Sequence, residues 1–203
     1  MNPKRTAATT ALLTLAALTA LPGCAPLIVG GAMVGSVLVA TDRRTAGTQI
    51  EDQAIELKAA NRIRDLSTLG HVNVTSYNRR VLLTGEVPTE ADRGRVEQAV
   101  RQVENVNAVI DELAVAGSSS YTSRSNDALL STQVKASFVD AKDVFANAVK
   151  VVTERGTVYL MGRVTEREAA RAAALASTVP GVQKVVRVFE ILSEAELAAM
   201  QPK

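Results

Sequence analysis

The chain has 203 residues, with 23 Lys and Arg against 21 Asp and Glu, one histidine, one cysteine and no tryptophan. This excludes an intrachain disulfide and a zinc site built from a His/Cys cluster. Three Tyr and three Phe, without clustered positive charge, give neither a stacking platform nor an electrostatic footprint for nucleic acid. The first element in chain order is a leader. Lys4 and Arg5 precede Ala7–Leu21, an uncharged run of about 15 residues that suits a secretory segment and is short for a membrane span. Without Lys4 and Arg5 the remaining chain carries 21 basic and 21 acidic residues and is neutral overall.

The leader ends in Leu21-Pro22-Gly23-Cys24. This resembles the bacterial lipobox, and the resemblance implies cleavage before Cys24, thioether lipidation of its sulfur and acylation of the new amino terminus. The physical logic agrees: one acyl chain anchors marginally, two or more stably. Ala25 follows the cysteine, which in Gram-negative lipoproteins implies sorting to the outer membrane. Residues 25–40, APLIVGGAMVGSVLVA, are again apolar. They read as a tether beside the bilayer, with a single span from the leader through residue 40 as the rival; Pro22, Gly23 and Pro26 oppose such a helix.

The rest of the chain repeats itself. VLLTGEV (81–87) matches VYLMGRV (158–164) at an offset of 77, and VENVNAVIDELAV (103–115) matches VPGVQKVVRVFEI (179–191) at an offset of 76. In the first copy, Ile55-Ala59-Ile63 predicts a helix over about 51–65. Strands follow at about 72–76 and 80–87 around an Asn78-Arg79 turn. A helix at about 89–103 is capped by Thr89, and a strand covers about 108–115. In the second copy, Leu130-Val134-Phe138 predicts a helix over about 126–139, opened by Asn126 or Asp127. Strands at about 149–153 and 157–164 flank an Arg155-Gly156 turn. Thr165 and Glu168 form a capping box for a helix over about 166–178, and the last strand runs over about 183–192. Each copy is thus helix, strand, strand, helix, strand. The crossover helix makes the strands it joins parallel, giving an α+β unit with a three-stranded mixed sheet packed against two helices. Each unit alone is near the lower limit for a single core, so the two are expected to pack together.

V-x-L-x-G-x-V, a helix, then V-x-G-V-x-x-V resembles the BON domain. The second copy matches it well; the first has Asn105 where the second has Gly181, a departure expected to alter the turn before the last strand. Two such repeats behind a lipobox resemble the dual-BON outer-membrane lipoproteins, a family associated with division and outer-membrane stress. The organisation is then signal peptide 1–23, lipidated N-terminus and tether 24–47, first BON domain 48–116, linker 117–124, second BON domain 125–193 and C-terminal tail 194–203.

The resemblance implies attachment to the periplasmic face of the outer membrane through lipidated Cys24. It also implies binding of anionic phospholipid such as phosphatidylglycerol or cardiolipin, envelope maintenance and, in some members, recruitment to the division site. Lipid contact in the family is associated with the first helix of the second domain. Here that helix and its flank offer Leu129, Gln133, Lys135, Ala136, Val139 and Lys142 away from the predicted core face. Exposed hydrophobes beside lysines suit acyl chains and anionic headgroups. The other outcome is that Leu129 and Val139 pack against the first domain. Arg43-Arg44 and Arg79-Arg80 read as solvated charge or headgroup contacts. No cofactor, metal or nucleic-acid partner is expected, and with His71 the only histidine no nucleophile pair has a motif around it, so no enzyme is expected. The alternative function is a non-enzymatic adaptor that binds another envelope or division-site protein, with the lipid serving only as anchor.

Overall fold

The computed structural model describes residues 42–66, 70–141 and 144–200. The leader, Cys24, the apolar tether and Lys142 lie outside the described residues. The first repeat comprises α1 (Ala46–Asp65), β1 (His71–Tyr77), β2 (Arg80–Val87), α2 (Glu90–Arg101) and β3 (Ala108–Val115). The second comprises α3 (Tyr121–Asp140), a short 3-10 turn (Ala146–Ala148), β4 (Val149–Glu154), β5 (Thr157–Val164), α4 (Glu166–Thr178) and β6 (Lys184–Ile191). A last helix, α5 (Glu194–Met200), occupies most of the expected tail. Each repeat is a three-stranded mixed sheet. β1 pairs antiparallel with β2, which pairs parallel with β3, and β4, β5 and β6 repeat the pattern.

Both hairpins turn through two residues with left-handed backbone: Asn78 (φ 52) and Arg79 (φ 62), then Arg155 (φ 51) and Gly156 (φ 71). Two-residue hairpins favour this geometry because it matches the strand twist, although arginine adopts it at a cost. The cost is met from the preceding helix. The buried Asp52 of α1 accepts hydrogen bonds from Asn78 N and Arg79 N at 2.8 Å each. Asp127 of α3 does the same for Arg155 N at 2.8 Å and Gly156 N at 2.9 Å. Asp127 is therefore not a helix opener. α3 begins six residues earlier, inside the stretch expected to be linker, where Ser120 caps it by accepting from Ser123 N. Likewise α1 begins at Ala46, behind an N-cap at Thr45.

Gly85 and Gly162, the glycines of the two matched strand motifs, let the first strand of each sheet approach. A Cβ on Gly85 would lie 2.0 Å from the carbonyl oxygen of His71, and one on Gly162 would lie 2.3 Å from that of Ala148. The expected difference at Asn105 does not arise. Asn105 (φ 65) takes the same left-handed conformation as Gly181 (φ 96), and both turns close alike, Val106 N on Val103 O and Val182 N on Val179 O. Asparagine tolerates this region better than most side chains.

β2 shows how the repeats are joined. Val81, Leu83 and Val87 pack on Ile55, Ala59, Ile63, Val96 and Val100 of the helices. The other face of the sheet is also buried. Tyr77 and Leu82 meet Tyr159, Met161 and Val188 of the second repeat, with Ile110, Val152 and Val186 at the margin. The sheets therefore pack back to back, and the helices of each repeat cover its outer face. A strand covered on both faces loses the alternation of a half-exposed one, which explains the near-continuous apolar runs in both motifs. Polar contacts ring this seam: Asn78 Nδ2 donates to Glu190 at 2.6 Å, Asn73 Nδ2 to Glu154 at 2.8 Å, and Arg80 Nη1 to the carbonyl of Phe189 at 3.1 Å.

Candidate lipid-facing site

α3 has 20 residues, about 30 Å of helix. Leu130, Val134 and Phe138, spaced by four, are buried in the second core, and Asp127 lies with them above the hairpin. The opposite face is left to solvent. Leu129 is 63% exposed and Val139 73%, so neither packs against the first domain. Gln133, Lys135 and Ala136 are exposed as well. Leu129, Gln133 and Ala136 follow each other at four and three residues, which places them on one stripe that Val139 continues one turn on. Five of the six residues expected to bind lipid are thus brought together on one helix; Lys142 lies outside the described residues.

Two aromatic residues outside the expected set join them. Tyr121 opens α3 and is 82% exposed, and Phe145, between α3 and β4, is 56% exposed. Tyr121 sits in the stretch expected to be linker, where Ser120, a potential cap, is the available signal. Phe145 has no periodic signal, because it lies in a loop. Tyrosine, with one polar end, favours a bilayer interface, and phenylalanine is among the residues that enter its acyl boundary.

Charge flanks the stripe on both sides. Along one edge of Leu129 and Gln133 runs a groove of about 590 Å³, whose far wall carries Arg155 and Gln183. Beside Val139 lies a second groove of about 370 Å³, with Arg44, Tyr77, Lys135 and Lys150 in its lining. Lys150 is held there by Glu56 at 2.9 Å, across the two repeats.

Arg43 and Arg44 are neither solvated charge nor free headgroup contacts. Arg43 makes a two-pronged pair with Glu168 of α4, both bonds 2.7 Å, and donates to the carbonyl of Arg163 at 2.8 Å. Its guanidinium lies 5.5 Å from the centre of the Phe145 ring. The bond from Arg43 is the leading reason why the Glu168 carboxyl is held below the usual range. Arg44 bonds Asp42 and the buried Asp52 and stacks on the Tyr77 ring at 4.0 Å. The segment entering the fold is therefore strapped across both repeats, beside the C-terminal end of α3.

His71 faces Arg124 across 3.4 Å, and burial, then the charge of Arg124, pushes its pKa down. Among the described residues there is no group of three or more His, Cys, Asp or Glu that could hold a metal ion, and no helix is long and apolar enough to cross a membrane.

The BON domain model matches residues 51–117 and 126–193. Outer membrane lipoprotein DolP of Haemophilus influenzae is 43% identical over 176 residues, covering 85% of this chain and 90% of that protein. The 21 kDa hemolysin of Actinobacillus pleuropneumoniae is 33% identical over 151 residues, covering 73% of this chain and 78% of the other. Osmotically-inducible protein Y of Escherichia coli is 30% identical over 144 residues, with 68% and 72% covered. The two repeats with their mixed sheets and the extent of these matches identify the chain as a member of the BON-domain family, a dual-BON lipoprotein of the outer membrane.

Proposed function

We propose that the folded repeats bind anionic phospholipid through the outward face of α3, and that this contact, added to the lipid anchor at Cys24, supports the integrity of the outer membrane. The observation that carries the reading is the exposure of Tyr121, Leu129 and Val139 on the face opposite a fully packed core, with Arg44, Lys135 and Lys150 in the groove beside Val139 and Arg155 across the groove beside Leu129. Apolar side chains on a helix lying flat in the interface enter the headgroup boundary, while nearby cations each add about 1 kcal/mol at an anionic surface. The individual affinity is low by this arithmetic, but anchoring at Cys24 raises the local concentration of the bilayer and makes a weak contact sufficient. The role is binding rather than catalysis.

The test is co-sedimentation of residues 41–203, without the anchor, with phosphatidylglycerol or cardiolipin vesicles and with neutral ones. Binding to the anionic vesicles alone is expected, and Leu129→Glu should reduce it at least tenfold while circular dichroism stays unchanged. Failure of the parent fragment to sediment with either vesicle refutes the reading and leaves Cys24 as the only membrane contact, with an envelope protein as the partner to seek.

A further inference from the structure

The chain enters the fold at one pinned place. Arg43 is fixed by Glu168 and by the carbonyl of Arg163, and Arg44 by Asp52 and the Tyr77 ring. Both guanidinium groups are largely buried, the side chains 11% and 13% exposed. Asp42, bonded to Arg44, is therefore fixed one residue before Arg43, whose guanidinium lies over the Phe145 ring. Upstream of Asp42, 17 residues connect to the lipidation position at Cys24, and residues 25–40 carry no charge. Seventeen residues span at most about 60 Å when fully extended, and residues 25–40 are apolar. Phe145, whose ring Arg43 covers, and Val139, in the groove that also holds Lys135 and Arg44, are exposed apolar residues beside this pinned exit. Leu129 lies about 15 Å further along α3 and Tyr121 about 27 Å.

We propose that Phe145, with Val139, is the near foot by which the folded body stands on the bilayer beside its own anchor. The strap at Arg43 and Arg44 then presents α3 lengthwise to the lipid, with Leu129 and Tyr121 as the far contact. This rests on the lipid-binding reading above and adds an inserting residue outside the helix, together with the orientation. Phe145 suits the task because its ring already shields a guanidinium on one side and has more than half its surface free. Phenylalanine is among the side chains by which interfacial elements enter the headgroup and acyl boundary.

The absence of tryptophan makes a direct test available. The full lipidated chain is reconstituted in phosphatidylglycerol-containing vesicles as three variants: Phe145→Trp, Leu129→Trp and, as a control, Leu57→Trp, which is 65% exposed on α1. Tryptophan at 145 keeps the contact with Arg43. Expected are a blue shift and loss of emission on adding lipids brominated near the glycerol for F145W and L129W, and neither for L57W. Quenching of L129W without F145W overturns the near foot and leaves the lipid-binding face of α3 standing. Quenching of neither overturns both readings. Equal quenching of all three, including L57W, shows that the anchored body takes no single orientation and also overturns the inference.

Discussion

Asp52→Ala removes a carboxylate with four hydrogen-bonding partners: Asn78 N and Arg79 N at 2.8 Å, Ser76 Oγ at 2.7 Å and Arg44 Nη1 at 2.9 Å. The substitution leaves two left-handed hairpin residues without their acceptor and an Arg44 guanidinium with Asp42 alone. Hydrogen bonds to a charged group contribute about 1.5–3 kcal/mol each, and they do not add in full where water can replace the carboxylate, as it can at the exposed Arg79. Breaking a buried charged pair costs about 3–5 kcal/mol, and that range is the expectation here. For a fold of this size it corresponds to a fall in Tm of roughly 10 °C. Asp127, the counterpart in the second repeat, accepts from two backbone N–H groups, so Asp127→Ala should cost about half as much. Urea and thermal denaturation of residues 41–203, followed by far-UV circular dichroism, provide the comparison. The pH dependence is a second arm. Burial pushes the Asp52 carboxyl up, but hydrogen bonds from Arg79, Ser76, Arg44 and Asn78 outweigh it and hold the pKa below 3.8. A carboxylate held below its unfolded value stabilises the fold above that value, and the contribution fades as pH falls through the folded pKa. The gap between parent and D52A should therefore be full at pH 6 and shrink below about pH 4. A D52A variant within about 1 kcal/mol of the parent, or a D127A variant that costs more, would refute this account of how the hairpins are held.

Four further outcomes are expected. Arg43→Ala leaves the Glu168 carboxylate buried without its cation and should cost about 3 kcal/mol in urea denaturation; Arg43→Lys should recover little of it, because a point charge cannot replace the two-pronged pair. Glu154, buried at the seam, has its pKa raised, first by burial and then by the charges of Glu86 and Asp127, against a lowering bond from Asn73. A raised carboxyl means that stability is present at low pH and lost as pH rises through the folded value. Glu154→Gln should therefore raise Tm at pH 7 and flatten the gain that the parent shows on acidification; a lower Tm at pH 7 would contradict it. Gly85→Ala should destabilise by more than about 2 kcal/mol because its Cβ meets the His71 carbonyl. Gly94→Ala, in α2 with open space around it, should stabilise by about 1 kcal/mol.

What was legible along the chain has a local cause. Leu130, Val134 and Phe138 mark a helix face by their spacing, Asn78-Arg79 and Arg155-Gly156 mark turns, and Thr165 with Glu168 forms the capping box that the structure shows. The offset of 77 between the strand motifs identified a repeat because both copies solve the same packing problem. Leu129 and Val139 could be placed off the core face of α3, yet whether a neighbouring domain covered them was not a local question. The start of that helix is not legible in the pattern, because Tyr121 to Asn126 has little apolar periodicity and only the cap at Ser120 marks it.

The sequence by itself determined the leader and lipobox, the order of elements and the doubled unit, since periodicity, capping and turn chemistry act over a few residues. Tertiary structure alone decided which faces stay open. Leu82, Tyr159 and Met161 turn the backs of the two sheets into one apolar seam, and this hides the first domain's sheet while leaving α3 free. Arg43 reaches Glu168 across 125 residues, converting an apparently solvated basic pair into a strap beside Phe145. Such pairings depend on where distant segments meet after both repeats have folded. An arginine in a polar stretch looks the same in sequence whether water or a buried carboxylate receives it.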